Sequence, residues 1–215
     1  MPVTTATIEA GARALINDKY SDHFSRDFLN DQADGTNKRF KLVNQNVVDA
    51  TVDGAPADPA IYVNGAAVTV TWNKAQGVAT FSSAPAAGAE VVAEYYFTLL
   101  SSATYAIYAQ DAANFVGYTD PTQIPDLAQG AARSYAAHLA ADQLANMTSW
   151  YYSANAGNKG FNKDAIANKF RDMAEKLKVT AEARRKDIYT RHDQREAPAY
   201  AVSNFSPLPT GQPKR

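Results

Sequence analysis

The chain has 215 residues, of which 46% are hydrophobic and 20% are charged, and its formal net charge is −1. This is the composition of an ordinary globular protein, and the near-zero charge argues against one that coats nucleic acid by bulk attraction. The chain contains no cysteine, which excludes disulfides, thiolate metal sites and cysteine nucleophiles. It has no run of about 18 apolar residues, so no membrane span is expected, and residues 1–5 do not resemble a signal peptide.

The charge is distributed unevenly along the chain. Residues 159–215 hold 13 Lys and Arg against 7 Asp and Glu, a net of +6, whereas residues 1–158 have a net of −7. An acidic front and a basic back suit a part that meets different neighbours at its two ends. Independent drift of charge on exposed helix faces would give the same pattern.

The hydrophobic period changes twice along the chain. Between Ile8 and Phe28 apolar residues recur at steps of three and four, which predicts an amphipathic helix that polar residues between Asp18 and Ser25 could divide. After Asp34 the period becomes two, and Gly and Pro fall at turns between short apolar runs as far as Phe97. About five or six strands in roughly 65 residues predict a small antiparallel sandwich or barrel.

The helical period returns at Ser101 or Ser102, which we expect to cap a helix ending near Gly117. Pro125 suits the first turn of a long alanine-rich helix over about 126–154. A turn at 156–160 and a last helix over about 163–191 complete this part. The last helix carries a narrow seam typical of packing on one partner, formed by Ile166, Phe170, Met173, Leu177, Ala181, Arg184 and Ile188.

The predicted fold class is therefore α+β. A helical bundle is formed by residues 1–33 and 98–191, with a β domain inserted over 34–97. Residues 192–215 are predicted to form an extended C-terminal arm, because they contain four prolines. An apolar, proline-rich arm can lie in a groove of a partner, although a free terminus is an equally common interpretation. The candidate docking residues of the arm are Tyr200, Val202, Phe205 and Leu208.

Motifs of catalysis are missing from the sequence. The three histidines do not stand at metal-ligand spacing, and no HExxH, GxxxxGK[ST], GxGxxG or GxSxG motif occurs. His138 lies among alanines and is interpreted as a packed or hydrogen-bonded core residue. The segment 157–160 resembles a phosphate loop only in composition. We predict that the protein is not an enzyme and expect no cofactor or metal.

The last predicted helix is basic, which raises the alternative of a DNA-binding regulator. Acidic residues dilute its charge, and (i, i+4) pairs such as Asp172 with Lys176 are typical of a solvated helix face. Sequence-specific readout is therefore not expected. If the helix faces DNA at all, the candidate residues are Lys176, Lys178, Arg184 and Arg185.

Two stretches resemble proteins of tailed-bacteriophage virions. The first is similar to a small β module that recurs in phage structural proteins as an interaction element. It comprises the segments 34–36, 40–42, 61–65, 78–81, 84–89 and 92–96. The second, comprising residues 150–153, 162–164 and 167–185, resembles the closing helical hairpin of head-to-tail connector (adaptor) subunits. The combination of the two carries the resemblance.

The resemblance implies a structural protein located in the virion at the head–tail interface and made in the host cytoplasm. Members of this family form a ring, usually of twelve subunits, that joins the portal to the tail or to stopper and tail-terminator proteins. The ring surrounds the channel through which DNA passes, with non-specific DNA contact, and its C-terminal arm reaches the portal. Compact adaptors lack a β insertion, so another neck, tail-completion or decoration protein is an alternative.

Overall fold

The computed structural model describes residues 4–51, 53–154 and 163–193. Within these residues, four helices and two antiparallel sheets form an α+β fold, which confirms the predicted class, and the sheets do not close into a barrel. The helices are α1 (Thr5–Ile16), α2 (Ser102–Phe115), α3 (Asp126–Ala154) and α4 (Lys163–Asp193). The strands are β1 (Phe24–Phe28), β2 (Arg39–Lys41), β3 (Val47–Val48), β4 (Ala60–Val63), β5 (Ala66–Ala67), β6 (Thr71–Asn73), β7 (Val78–Thr80) and β8 (Val91–Phe97).

Helix boundaries after the β region lie where the sequence places them. The Ser101 side chain accepts a hydrogen bond from the Thr104 amide at 3.1 Å, so it is the N-cap of α2. Helix α2 gives way at Gly117, whose φ of 92° is the left-handed conformation that ends helices. Helix α3 begins directly after Pro125, as predicted.

The segment 24–28 is a strand, and the helix predicted for it is wrong. Helix α1 ends at Ile16 because Asn17 takes the left-handed conformation with φ of 58°. Strand β1 pairs antiparallel with β8, with Phe24 opposite Tyr96 and Phe28 opposite Val92. The strand-bearing part of the chain therefore begins at Phe24, ten residues before the predicted start at 34.

The strands form two sheets around one apolar core. The first sheet has the order β1-β8-β4-β5, and β3 also pairs with β8; the second has the order β2-β7-β6. Phe40 and Phe81 meet edge to face at 4.9 Å inside this core, which also contains the fully buried Ile61 and Val91.

The helices enclose a second core rich in alanine. Helices α3 and α4 are antiparallel, because Arg184 contacts Gly130 whereas Ala174 contacts His138. Alanine lets the two backbones approach closely. The buried alanines are Ala128, Ala131, Ala132, Ala136, Ala137, Ala140, Ala141 and Ala145 on α3, and Ala167, Ala174 and Ala181 on α4.

The predicted seam of α4 is largely confirmed. Phe170, Met173, Leu177 and Ile188 are partly buried against the helical core, and Ala181 is fully buried. The remaining apolar residue of the seam, Ile166, is exposed, with 36% of its surface accessible.

The first two residues of the segment predicted to be an extended arm, 192–215, are helical instead, because helix α4 continues through His192 to Asp193. The rest of the arm, residues 194–215, and the predicted turn at 156–160 lie outside the described residues. No helix in the described part of the chain has both the length and the apolarity needed to cross a bilayer.

Candidate interaction surfaces

A buried charged cluster joins the helical core to the sheet that contains β1 and β8. We call it the junction cluster and define it as Glu9, Arg13, Asp18, Tyr20 and Tyr105. The Arg13 guanidinium, in a residue that is 1% exposed, donates from Nε to Glu9 Oε1 at 2.8 Å and from Nη1 to Asp18 Oδ2 at 2.9 Å. It also lies over the Tyr105 ring at 4.2 Å from the ring centre.

The junction cluster holds the chain just after β8 against α1. The Asp18 carboxylate accepts from the Leu99 amide at 2.6 Å, and Arg13 Nη2 donates to the Leu100 carbonyl at 3.1 Å. Burial raises the pKa of Asp18, against the opposing effects of the Leu99 amide and the Arg13 charge. Burial likewise raises the pKa of Tyr105. These contacts link α1 to the chain just after β8, so the cluster connects the helical core to the first sheet.

The histidines with described side chains are used in packing. His138 Nδ1 donates to the Ala174 carbonyl at 3.0 Å, which agrees with its interpretation as a hydrogen-bonded core residue. His23 Nε2 lies 3.6 Å from Asp18 Oδ1, at the margin of the junction cluster. Among the described residues, no three His, Asp or Glu side chains are grouped so that they could hold a metal ion.

Two of the four candidate DNA-facing residues are engaged in the helical packing. Arg184 Nη1 donates to the Gly130 carbonyl at 3.0 Å and to Ser134 Oγ at 2.9 Å. The Arg185 guanidinium lies 4.8 Å from the centre of the Phe115 ring. These contacts tie α4 to α2 and α3 and leave the two arginines less able to meet phosphate.

The two candidate lysines of α4 are exposed. Lys176 borders a groove of about 490 Å³ along one side of α4, and Lys178 lies elsewhere on the surface of the same helix. Asp172 also borders the groove, so its charge is mixed. The described residues that line it are Asn168, Lys169, Asp172, Met173, Lys176, Leu177 and Thr180.

The outer face of β1 exposes two large aromatic side chains. Phe24 is 55% and Phe28 is 62% accessible, and the Phe24 ring lies 5.3 Å from that of Tyr96. Between them, Arg26 Nε lies 3.3 Å from Glu94 Oε1 on the neighbouring strand. Two exposed phenylalanines on one strand form a patch, and such patches mark interaction sites more often than isolated apolar residues do.

The other exposed large apolar side chains of the described residues are spread over the helices and the loops between strands. Single exposed apolar residues are normal on a protein surface, so they carry less weight than the pair on β1. They are Leu15, Ile107, Leu127, Met147, Ile166, Val179 and Tyr189 on helices, and Val43 and Val68 between strands.

The predicted docking residues of the arm, Tyr200, Val202, Phe205 and Leu208, lie outside the described residues. The described residues add the junction cluster and the β1 face, which the sequence did not predict. The alternation in Phe24-Ser25-Arg26-Asp27-Phe28 was the available signal for the β1 face.

Comparisons of the chain with protein-family models, with curated proteins and with solved structures gave no match.

Proposed function

We propose that the chain is a structural subunit of a tailed bacteriophage and forms a ring that joins the portal to the tail. The observation that carries this proposal is the antiparallel pair α3–α4, with buried alanines between the helices and exposed lysines outside. This arrangement agrees with the sequence resemblance of residues 150–185 to the closing helical hairpin of connector subunits. The β module and the junction cluster fit an assembly part whose surfaces, rather than a reactive centre, perform its function.

The ring surrounds the DNA channel in this proposal, and α4 contributes to the channel wall. Lys176 and Lys178 are its basic contacts, since Arg184 and Arg185 are tied to the neighbouring helices. Acidic residues in the preceding turn of the same helix, such as Glu175 and Asp172, keep the contact weak. Weak, non-specific contact suits a channel through which DNA must slide.

The arm provides the attachment to the portal in this proposal. Tyr200, Val202, Phe205 and Leu208 give it apolar anchors between prolines. Buried aromatic side chains commonly dominate binding energy at protein interfaces. Proline keeps the arm extended and lowers the entropy lost on docking.

The test is the copy number of the protein in purified particles, measured by quantitative mass spectrometry against the portal protein. A ring at the neck predicts about a dozen copies per particle, which is of the same order as the number of portal subunits. Hundreds of copies would instead identify a decoration or tail-tube protein. A chain that neither enters particles nor joins portal-bearing heads would overturn the proposal.

A DNA-binding regulator makes a different prediction. Its affinity for short duplex DNA would fall steeply with salt, because each phosphate contact releases a counterion. We expect weak binding that the Lys176→Gln/Lys178→Gln variant abolishes. Tight binding that persists in this variant would favour the regulator.

A further inference from the structure

Among the described residues, the two strands at the ends of the order β1-β8-β4-β5 have no further strand paired with them, and they run in opposite directions. Strand β1 is antiparallel to β8, β8 is antiparallel to β4, and β4 is antiparallel to β5. With the order β1-β8-β4-β5, β1 and β5 form the two edges and point opposite ways. A second copy placed beside the first in the same orientation would therefore bring its β5 antiparallel to β1. Antiparallel pairing between copies therefore does not require a two-fold axis that brings the same strand of both copies together.

The backbone groups of the two edges also match in register. His23 and Leu29 bond to β8, through the Phe97 amide at 3.0 Å and the Val91 carbonyl at 2.8 Å. Because bonding alternates along an antiparallel strand, the backbone groups of Phe24, Arg26 and Phe28 point away from β8, toward the open edge.

The same alternation applies to β5. The Val68 amide donates to the Ile61 carbonyl at 2.9 Å, so the backbone groups of Ala67 point away from β4. Ala67 is opposite Tyr62, which is opposite Val92, which is opposite Phe28. Arg26 on β1 and Ala67 on β5 therefore both point their backbone groups outward and have their side chains on the same face of the sheet. Two residues that pair across a continuous antiparallel sheet must meet both conditions.

The side chains of the two edges are complementary in size. Strand β1 presents Phe24 and Phe28, whereas β5 presents the exposed Ala67, which is followed two residues after it by the exposed Thr69. Large side chains on one edge can thus lie over small ones on the other. Arg26 is paired with Glu94 in its own sheet, and residues 66–70 contain neither a charged residue nor a proline. Exposed edge strands of natural proteins usually carry charged residues or proline, which prevent pairing with another chain, unless another element covers the edge.

We propose that copies of this chain associate head to tail by pairing β1 of one copy with β5 of the next, so that the sheet continues from subunit to subunit. This inference rests on the proposed ring and identifies one of its interfaces. A heterologous contact of this kind closes into a ring when the rotation per subunit allows it. A second copy is favoured over an unrelated partner because both halves of the contact are present on one chain.

Disulfide trapping tests the proposal directly, since the natural chain has no cysteine. The full-length Arg26→Cys/Ala67→Cys variant is oxidised at its highest soluble concentration and examined by denaturing, non-reducing electrophoresis. Paired strands place opposite Cα atoms at about 5.5 Å, which a disulfide can bridge. Within one chain the two positions are three strand spacings apart, about 14 Å, so an intrachain bond is excluded. We expect a ladder of covalent oligomers.

Matched variants separate the possible outcomes. Arg26→Cys and Ala67→Cys alone should remain monomeric on the gel, and Arg26→Cys/Thr69→Cys provides a second register and a second folding background. A dimer from Arg26→Cys alone would overturn the head-to-tail arrangement in favour of two β1 strands meeting. No ladder from either double variant would also overturn it. If particles still contained a ring-like number of copies, the proposed function would stand without this interface.

Discussion

Arg13 is the residue on which the connection between the two cores most depends. Its guanidinium forms ion pairs with both Glu9 and Asp18 in a region largely shielded from solvent. Removing one member of a buried ion pair leaves an uncompensated charge, which commonly costs about 3–5 kcal/mol. We therefore expect Arg13→Met to lower the free energy of unfolding by about that amount, measured by urea denaturation.

Two further variants show whether charge is the cause. Arg39→Met makes the same arginine-to-methionine change at an exposed position, and it should change the free energy of unfolding by less than about 0.5 kcal/mol. Arg13→Met/Asp18→Asn removes one of the stranded carboxylates and should recover part of the loss. If Arg13→Met were as stable as Arg39→Met, the junction cluster would not hold the cores together.

Asp18 and Asp34 are expected to titrate on opposite sides of their usual value of 3.8. Burial raises the pKa of Asp18, whereas hydrogen bonds from the Asn37 and Thr36 amides lower the pKa of Asp34. Carboxyl-carbon NMR titration of the folded chain measures both in one experiment. An Asp18 pKa at or below that of Asp34 would contradict the assignment.

The two shifts affect stability with opposite signs. The folded chain binds the Asp18 proton more tightly than the unfolded chain does, so the Asp18 contribution is greatest below pH 3.8 and falls as pH rises through the raised pKa. The Asp34 contribution is present above pH 3.8 and is lost as pH falls through the lowered pKa.

At the scale of elements, the α3–α4 contact depends on small side chains. Ala181 is fully buried, whereas Ala183 on the same helix is exposed. We expect Ala181→Leu to destabilise the fold by about 1–3 kcal/mol through overpacking, and Ala183→Leu to have little effect. Thermal unfolding of the two variants compares the same substitution at a buried and an exposed site. Equal melting temperatures would show that the helices do not pack closely at Ala181.

The elements that the sequence predicts well are those with local signals at their ends. Ser101 and Pro125 mark helix starts through interactions within one turn, so α2 and α3 begin where expected. Phe24 and Phe28 satisfy a four-residue helical step and a two-residue strand step equally well. The choice of strand depends on distant partners, including the bond of 2.6 Å from the Tyr95 hydroxyl to Asp27.

The junction cluster is out of reach of local patterns for the same reason. Arg13 and Glu9 are four residues apart on α1 and would be taken for a solvated pair. Their burial follows from the Leu100 carbonyl and Tyr105, which are distant in sequence. The position of β5 at the edge of its sheet cannot be predicted from local sequence either, because it depends on the strand order of the whole sheet.

At the scale of the whole molecule, half of the net positive charge near the end of the chain belongs to α4. Helix α4 holds 9 Lys and Arg against 6 Asp and Glu, which gives +3 of the net +6 of residues 159–215, and its exposed lysines lie on the bundle rather than on the sheets. The open sheet edges, in contrast, offer backbone pairing and aromatic contact. The proposed assembly thus separates subunit contacts on the sheet from DNA and portal contacts at the helical end.

The last prediction concerns the arm as the portal attachment. Deleting residues 197–215 should weaken attachment to portal-bearing heads, measured by co-sedimentation, because the deletion removes Tyr200, Val202, Phe205 and Leu208. It should change the free energy of unfolding by less than about 0.5 kcal/mol, since the described residues that form the two apolar cores all precede position 189. Calorimetry and sedimentation of the same preparation measure the two effects.

A full-length variant with Tyr200→Ser, Phe205→Ser and Leu208→Ser separates side-chain docking from chain length. If the anchors bind the portal, this variant should attach as poorly as the deletion, because its apolar contacts are lost while its length and prolines are kept. If it attaches normally and the deletion does not, the prolines or the terminal charges carry the contact instead. A deletion that melts much earlier would place the arm in the fold of its own subunit, and one that attaches normally would leave the portal contact to another surface.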